Sequence, residues 1–361
     1  MSKTKNAAPG GKKHHWYFYV GLVLLILLLL VGGLLGYLTA AEYRPEPVEP
    51  AVEGGKADRP LFPGESLTVL SFNTGYSSLG WESDFLMDGG KGPGQVDRAT
   101  VAQNMAGIEA VFAANDADFY MLQEVDLDSH RTFGICQPEE YGKTLSDYGW
   151  YFAPNYRCKF VPYPVQKPFG SMDSGVVTYS RYQVSHAQRT ALPVPFSWPL
   201  RIANLKRCML ETRIPIADSD KELVIINFHL EAYDDGEGKL AQTSQLLETV
   251  QREYDAGNYV IAGGDFNQTF PEVHTDVKPT SEWVPGVLEA LPAPWRYVYD
   301  DTTPTCRLLN QPYDGINEKT QYYVIDGFIL SPNLELASIE TLDENFQFSD
   351  HNPVLMEVTL K

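Results

Sequence analysis

The stretch Tyr259-Val260-Ile261-Ala262-Gly263-Gly264-Asp265-Phe266-Asn267 carries the strongest structural signal in this 361-residue chain. Its first half is a short apolar run, which indicates a buried strand. Two glycines end that run, and the polar residues Asp265 and Asn267 follow. Ligand sites of α/β folds gather at such strand ends. The stretch therefore predicts an α/β domain with a site at the edge of a sheet.

The pattern of apolar runs recurs along the chain and alternates with helical periodicity. Helical spacing is seen at Val101, Met105, Ile108 and Phe112, and again at Leu240, Leu247, Val250 and Tyr254. Further strands are predicted at 67–72, 119–122, 175–179, 209–214, 223–228, 322–330 and 354–360. This mixture of strands and crossover helices predicts sheets that are covered by helices.

Polar residues recur where these strands stop, and their chemistry is consistent with one site. They are Asn73, Glu124, His229, Asp265, Asn267, Asp326, Asp350 and His351. Each one alone is more typical of a turn or of a structural contact. Their order along the chain, taken together, indicates a catalytic constellation.

The oxygen ligands in this set suit a hard cation. The carboxylates of Glu124 and Asp350 and the amide oxygen of Asn73 are donors that Mg²⁺ or Mn²⁺ prefers. His229 and His351 can donate to phosphate oxygens or shuttle protons. The sequence therefore predicts metal-assisted chemistry on a phosphate.

The remaining acidic and amide side chains have supporting roles in this interpretation. Asp326 could orient one imidazole. Asp265 could hold or deprotonate a water, and Asn267 could act as an orienting donor. These three assignments complete the predicted set of catalytic residues with His229 and His351.

The ordered pattern resembles the endonuclease/exonuclease/phosphatase superfamily, over essentially all of residues 66–361. The matching pieces are Ser71-Phe72-Asn73, Gln123-Glu124, Asn227-Phe228-His229-Leu230, Gly264-Asp265-Phe266-Asn267, Ile325-Asp326 and Ser349-Asp350-His351. The resemblance implies a four-layered α/β sandwich, in which two packed mixed β-sheets are flanked by helices.

The resemblance also implies a role for each matched position. It makes Glu124 the principal metal ligand, with Asn73 and Asp350 contributing to the metal site. Asp265 would activate the attacking water, and Asn267 would contact the phosphate. The remaining implied roles are a phosphate contact for His229 and an Asp326–His351 pair.

The segment 124–174 conforms less well to the family pattern. Arg131, Asn155 and Lys159 could contact the substrate, although a position in a solvated loop is the favoured interpretation of each. Asp173 precedes a predicted strand, where related enzymes often place a polar residue that faces the substrate. We treat these four as predicted substrate-binding residues.

A separate segment, residues 16–38, is uncharged and long enough to cross a bilayer. Four lysines lie in residues 1–15 before it, and Glu42 and Arg44 follow it. This charge bias predicts an uncleaved signal anchor with a cytoplasmic N-terminus and a domain outside the cytoplasm. A cleaved signal peptide is the alternative, and a buried core helix is disfavoured by the length of the run.

The remaining chain is strongly acidic. The net charge is −19 and residues 1–41 contribute +4, so residues 42–361 carry −19 − 4 = −23. Such a domain does not bind polyanions through charge alone. Residues 39–65 are rich in Pro and Glu and predict an extended linker, which leaves 66–361 as the catalytic domain.

The sequence thus predicts a membrane-anchored hydrolase of phosphate esters that requires Mg²⁺ or Mn²⁺. Its substrate could be a lipid head group, a small organic phosphate or DNA, and no protein partner is evident. An extracellular nuclease is one alternative, and a catalytically silent binding module on the same fold is another. The four cysteines, Cys136, Cys158, Cys208 and Cys306, could form two disulfides or stay free.

Overall fold

The structure is a computed structural model that describes residues 16–92, 96–164, 167–234, 236–273, 284–315 and 320–361. The chain divides into two units, Met1–Glu42 and Tyr43–Lys361. The first unit contains helix α1 (Trp16–Ala40), which is long and apolar enough to cross a membrane. The predicted basic N-terminus, residues 1–15, lies outside the described residues.

The second unit contains three further helices in the part of the chain that the structure describes: α2 (Arg98–Asn115), α3 (Gln137–Thr144) and α4 (Glu237–Asp255). Its strands, in chain order, are β1 (Val48–Pro50), β2 (Val52–Gly55), β3 (Ser66–Asn73), β4 (Phe119–Asp126), β5 (Gly149–Val161), β6 (Gly170–Ser180), β7 (His186–Ala191), β8 (Cys208–Pro215), β9 (Glu222–His229), β10 (Tyr259–Asp265), β11 (Gln268–Thr269), β12 (Gly286–Val287), β13 (Arg296–Val298), β14 (Cys306–Arg307), β15 (Tyr322–Tyr323), β16 (Asp326–Leu330), β17 (Leu334–Thr341) and β18 (Val354–Leu360).

Two mixed seven-stranded sheets form the body of this unit. One has the order β1-β7-β8-β9-β10-β16-β13, and the other has the order β17-β18-β3-β4-β6-β5-β2. Each sheet has one parallel pair at its centre, β9 with β10 and β3 with β4. A helix connects the strands of each pair, α4 in the first sheet and α2 in the second, because parallel neighbours need a crossover.

The alternation of side chains along the central strands produces four layers. Val69 on β3 and Ile225 on β9 share one core between the two sheets. On the other face of its sheet, Leu70 packs in a core that includes residues of α2 and α3, and Val224 packs in a core that includes residues of α4. The predicted sandwich of two mixed sheets flanked by helices is confirmed.

The predicted linker, residues 39–65, is partly a folded element. Strand β1 pairs with β7, strand β2 pairs with β5, and Leu61 is fully buried in the core between the sheets. The segment predicted as a linker therefore contributes two strands and a core residue to the second unit. The composition of this segment is acidic and rich in Pro, and its partners are distant in sequence, so local pattern did not reveal the pairing.

Two other sequence interpretations are refined by the structure. The run 322–330 was predicted as one strand, but it contains β15, which pairs with β14, and β16, which belongs to a large sheet. All four cysteines are free; Cys136 is half-buried and the other three are buried. No disulfide therefore contributes to this fold.

Candidate functional site

The four ends of the central parallel strands bring polar side chains to one edge of the sandwich. Asn73 ends β3 opposite Gln123 of β4, and Asp265 ends β10 opposite His229 of β9. Parallel strands that share a direction end at the same edge of a sheet. The two sheets face each other, so the four ends surround one space.

Two glycines allow β10 to end there. A Cβ atom on Gly263 would lie 2.3 Å from a ring carbon of Phe328. A Cβ atom on Gly264 would lie 2.0 Å from the carbonyl oxygen of Phe228, and the backbone φ of Gly264 is 143°. Only glycine fits at either position without a shift of its neighbours. The motif Gly263-Gly264 therefore positions Asp265.

Glu124 reaches the site through a break in the regular pairing of β4. The register between β4 and β6 shifts between Leu122 and Val125. Glu124 lies within this irregularity with a φ of 54°, a left-handed conformation that is rare outside glycine. Such backbone strain costs about 1–3 kcal/mol and is concentrated at functional sites. The irregularity turns the carboxylate towards the cavity, which Glu124 lines.

The carboxylate of Asp265 lies at the centre of the site, surrounded by nitrogen atoms of four residues and open to the cavity. Its Oδ2 atom accepts a hydrogen bond from Asn73 Nδ2 at 3.0 Å and lies 3.4 Å from His229 Nε2 and 3.7 Å from His351 Nε2. Its Oδ1 atom accepts from the Asn267 backbone N–H at 2.8 Å. Burial and the nearby Asp326 raise the pKa of Asp265 to about 6.

The two histidines are driven to opposite protonation states by their surroundings. Burial disfavours the charged form of His351, but the Asp326 carboxylate, 2.9 Å from its Nδ1 atom, outweighs that effect and holds its pKa well above the usual value. Burial and the positive charge of Arg207 hold the pKa of His229 well below the usual value. A charged imidazole and a neutral one therefore flank Asp265.

Glu124 and Asp350 form the part of the site that fits a divalent cation. The Oε2 atom of Glu124 is buried without a hydrogen-bond partner. Burial and the negative charge of Asp350 raise the pKa of Glu124 to about 8, and burial also raises the pKa of Asp350. A cation between these carboxylates would satisfy the unpartnered oxygen and remove the repulsion.

The amide of Asn73 is already engaged on both sides. Its Nδ2 atom donates to Asp265, and its Oδ1 atom accepts from the Gly75 backbone N–H at 3.1 Å. A carbonyl oxygen has two lone pairs, so Oδ1 keeps one for a metal. Two further groups of side chains could hold a metal ion, and in each group the ligand atoms lie within 4.8 Å of one another. One group is Cys306, Asp350 and His351, and the other is Asp265, Asp326 and His351.

A cavity of about 280 Å³ opens above these side chains. Its floor is polar and includes Glu124, His229, Asp265, Asp350 and His351. Its walls are largely apolar and aromatic, with contributions from Tyr76, Phe85, Met87, Tyr156, Val161, Tyr163, Phe169, Met172, Leu205 and Tyr233. Apolar walls with a few convergent polar groups are typical of a site for an organic ligand.

Comparison with known proteins agrees with this architecture. The family model of the endonuclease/exonuclease/phosphatase family matches residues 70–351. The chain belongs to the endonuclease/exonuclease/phosphatase family. Members of this family are typically hydrolases that act on phosphate esters, and they generally depend on a divalent metal ion.

Solved structures of this family share the fold at low sequence identity. The endonuclease/exonuclease/phosphatase from Beutenbergia cavernae is 18% identical, with a TM-score of 0.55 over 82% of this chain and 72% of that chain. A family protein from Bacteroides thetaiotaomicron is 16% identical, with a TM-score of 0.51 over 83% and 100%. TDP2 from C. elegans is 15% identical, with a TM-score of 0.51 over 83% and 76%. No curated protein matches the chain.

The family residues predicted for catalysis and metal binding all lie in this one site. The amide of Asn267 has one constraint that the sequence did not show, because its Nδ2 atom donates to the Leu230 carbonyl at 2.8 Å. One amide hydrogen of Asn267 remains for a phosphate. The roles of all eight residues stay predictions, since position alone does not establish chemistry.

The four predicted substrate-binding residues do not all line the cavity. Arg131 lines the cavity, but its guanidinium forms two hydrogen bonds with the buried Asp126, at 2.8 and 3.0 Å. Asn155, Lys159 and Asp173 are not among the described residues that line the cavity. Asp173 instead accepts a hydrogen bond from Arg157 Nε at 2.8 Å, and this ion pair balances the negative charge of its carboxylate.

Arg207 is a cavity residue to which the sequence gave no individual role. It lines the cavity and is buried, yet its Nε and Nη1 atoms have no hydrogen-bond partner, and its nearest carboxylate, Glu231, lies 3.8 Å away. A buried guanidinium with two nitrogens that lack hydrogen bonds is costly unless an anion binds it. The signal available in sequence was only the basic pair Lys206-Arg207 next to a strand.

Gln123 and Asn227 form a polar contact between the sheets, directly below the site. Gln123 Nε2 donates to Asn227 Oδ1 at 2.8 Å, and Asn227 Nδ2 donates to the Val177 carbonyl at 2.9 Å. Both side chains are fully buried. These hydrogen bonds fix the distance between β4 and β9, and with it the distance between Glu124 and His229. The family motifs contain both residues, but their mutual contact required the structure.

Proposed function

We propose that this chain hydrolyses phosphate esters, as a phosphodiesterase or a phosphatase, with a divalent metal ion. The observation that carries the proposal is the position of Asp265. Its Oδ2 atom lies within 3.7 Å of side-chain nitrogens of Asn73, His229 and His351 at the floor of the cavity. A carboxylate held by three neighbours keeps one orientation, so it can position an attacking water and accept its proton.

The cation would be Mg²⁺ or Mn²⁺, held by Glu124 and Asp350 with the amide oxygen of Asn73. When bound, it would supply Lewis acidity to the phosphoryl group and the leaving oxygen. The unpartnered Oε2 atom of Glu124 and the mutual repulsion of the two carboxylates support this assignment. Carboxylate and amide oxygens are donors that these hard cations prefer.

The protein side chains would do the remaining work on the phosphate. His351 is kept charged by Asp326, so it donates an N–H to a phosphate oxygen as negative charge develops. The buried guanidinium of Arg207 can bind a second oxygen of the same phosphate. Neutral His229 would keep its contact with Asp265 and orient that carboxylate towards the attacking water.

A substrate panel with the purified full chain in detergent tests this proposal. The panel compares a soluble bis-ester, a soluble monoester, a lipid phosphodiester and DNA, each with Mg²⁺, Mn²⁺ or EDTA. We expect metal-dependent release from at least one ester and loss of that release in Asp265→Asn. An absence of turnover on every substrate would leave the catalytically silent binding module as the better account.

A nuclease is the second candidate, and the arginines of the cavity are its support. Arg131 and Arg207 both line the cavity, as a site for a nucleic-acid backbone would require. Against it stand the hydrogen bonds of Arg131 with Asp126 and the charge of −23 on residues 42–361. DNA cleavage in the panel that exceeds ester cleavage would favour the nuclease.

We propose further that the catalytic domain lies outside the cytoplasm, anchored by α1. The support is the apolar length of α1 and the four lysines that precede it. Protease added to intact cells should remove residues 43–361 and leave a short protected N-terminus. If that fragment resists protease until the cells are lysed, the orientation is the reverse.

A further inference from the structure

Two loops project from the sandwich at the edge that holds the site. The first is formed by the described residues of the hairpin between β5 and β6 and its flanks, 156–164 and 167–169, and the second is the connection 192–207 between β7 and β8. We call them the hairpin loop and the connecting loop. They contact each other, because Tyr156 Oη donates to the Ala203 carbonyl at 3.0 Å. Tyr163 of the hairpin loop and Leu205 of the connecting loop line the cavity.

Both loops expose large apolar side chains, and Tyr163 among them also lines the cavity. Trp198 is 52% exposed and Leu200 is 66% exposed in the connecting loop, and Phe160 and Tyr163 are exposed in the hairpin loop. Met87, which lines the same cavity, is also exposed. Soluble proteins rarely group exposed apolar side chains in this way, and such groups mark interaction sites.

The charge of the two loops is opposite to that of the domain around them. Between them they contain six basic residues and no acidic residue, whereas residues 42–361 carry a net charge of −23. The basic residues are Arg157, Lys159, Lys167, Arg201, Lys206 and Arg207. Of these, Lys159 and Lys167 are exposed. A local excess of basic residues among exposed aromatic and aliphatic side chains is typical of segments that lie in a lipid head-group region.

We propose that the hairpin loop and the connecting loop dock on a phospholipid bilayer, and that a membrane-lipid phosphodiester is the substrate class. The substrate class rests on the proposed phosphoesterase function, whereas the docking does not. Docking would place the cavity mouth at the level of the lipid phosphates. The apolar walls of the cavity, among them Phe169 and Met172, would then contact the organic part of the lipid.

The covalent chain favours a lipid surface over a nucleic acid as the partner. Residues 41–47 alone separate α1 from β1, and seven extended residues span at most about 25 Å. If α1 crosses a bilayer, the domain stays close to that surface. Leu200 and Val194 are aliphatic, so they gain by burial among acyl chains but cannot stack on bases as aromatic side chains do.

Depth-sensitive fluorescence of the full chain in lipid nanodiscs tests the docking without any need for turnover. The nanodiscs contain phosphatidylcholine and phosphatidylserine, with or without brominated acyl chains, which quench buried tryptophan. Subtracting the emission of Trp198→Phe from that of the wild type isolates Trp198. We expect this difference emission to be quenched by the brominated chains. Unquenched Trp198 emission would overturn the docking surface, whatever the enzyme hydrolyses.

Trp295 provides the matched control for the fluorescence experiment. It is half-buried, packs on Tyr254 and donates to Gln251 at 2.8 Å, near the end of α4 that is remote from the site. The difference between the wild type and Trp295→Phe should be the same in both kinds of nanodisc. Equal quenching of Trp198 and Trp295 would mean that brominated lipid acts non-specifically, and it would also count against docking by these loops.

Turnover separates the substrate class from the proposed function. In Trp198→Ser combined with Leu200→Ser, hydrolysis of a lipid phosphodiester in the bilayer should fall at least about tenfold, because two apolar side chains no longer enter the lipid. Hydrolysis of soluble bis(p-nitrophenyl) phosphate by this double variant should stay unchanged. Phe62→Ser is the control, because the Phe62 ring is exposed but does not line the cavity. Both activities should stay unchanged in this control variant.

The remaining outcomes each have a distinct meaning. Equal loss on both esters in the double variant would show that the loops support the site rather than the lipid, and would overturn the substrate class. Quenched Trp198 without hydrolysis of any ester by the wild type would sink the proposed function but keep the docking surface. Efficient cleavage of DNA with unquenched Trp198 would identify a nucleic acid as the partner instead.

Discussion

His351 Nδ1 lies 2.9 Å from Asp326 Oδ2, although Asp326 belongs to one large sheet and His351 lies in the loop before a strand of the other. Asp326 begins β16 of one sheet, and His351 lies three residues before β18 of the other. Both side chains are buried. The backbone N–H of Asp326 also donates to Thr305 Oγ1 at 3.2 Å, which fixes the start of β16. The pair therefore joins the two sheets at the floor of the cavity.

We expect the Asp326–His351 pair to act as one catalytic unit. Asp326→Asn and His351→Ala should each reduce turnover by roughly 10²- to 10⁴-fold, the usual contribution of a positioned proton donor. The double variant should be little worse than the worse single variant, because groups that act together are non-additive. Steady-state kinetics of the three variants measures this.

The melting temperature distinguishes this catalytic role from a structural one. Asp326→Asn keeps a hydrogen-bonding side chain of the same shape, so its melting temperature should stay near that of the wild type. If instead both single variants melt early and their folded fraction turns over normally, the pair only stabilises the domain.

Arg207 should bind phosphate rather than stabilise the fold. Its Nε and Nη1 atoms lack hydrogen-bond partners, and a hydrogen bond to a charged group contributes roughly 1.5–3 kcal/mol. Arg207→Met should therefore weaken competitive inhibition by inorganic phosphate by about tenfold or more. The melting temperature should not fall, since replacing a poorly paired buried charge by an apolar side chain is often neutral or stabilising.

Arg189 is the matched control, because it is an equally buried arginine with a structural task. Its guanidinium donates to the carbonyls of Pro154 and Lys206, both at 2.8 Å. Arg189→Met should lower the melting temperature and leave the inhibition constant of phosphate in the folded enzyme unchanged. The account of Arg207 fails if its variant melts early while phosphate inhibits it as strongly as the wild type.

Leu61 tests whether the segment before β3 belongs to the domain. It is fully buried in the core between the sheets, whereas its neighbour Phe62 is exposed. Leu61→Ala should cost about 2–5 kcal/mol of stability, as expected for a buried leucine. Phe62→Ala should change stability by less than about 0.5 kcal/mol. Thermal denaturation of the two variants measures the difference, and equal melting temperatures would return this segment to the status of a linker.

The sequence predicted the central strands because their pattern is local. Apolar runs such as 223–228 and 259–262 read as buried strands wherever they occur, and the polar residues after them mark the strand ends. The partners of β1 and β2 are distant in sequence, so nothing within a short window predicts their pairing. Strands β5, β7 and β17 were also missed: β7 mixes polar and apolar types without a clear period, and an irregularity between Leu336 and Ser338 interrupts the alternation of β17.

Within the site, residue types were predictable and conformations were not. Glu124 and His351 follow from their motifs. The irregular pairing that turns Glu124 towards the cavity depends on the register between β4 and β6, which no local pattern encodes. The possible phosphate-binding role of Arg207 was missed for a related reason. It is inferred from buried nitrogens that lack hydrogen bonds, and burial is a property of the packed chain.

Metal dependence of ester hydrolysis tests the central claim most directly. The measurement is turnover of bis(p-nitrophenyl) phosphate by the purified full chain in detergent, after EDTA and after readdition of Mg²⁺ or Mn²⁺, for the wild type and Glu124→Gln. A Lewis acid contributes several kcal/mol to transition-state stabilisation. We therefore predict that EDTA abolishes turnover, that Mg²⁺ or Mn²⁺ restores it in the wild type, and that Glu124→Gln stays orders of magnitude slower. Turnover that survives EDTA and is unchanged in Glu124→Gln would contradict the account.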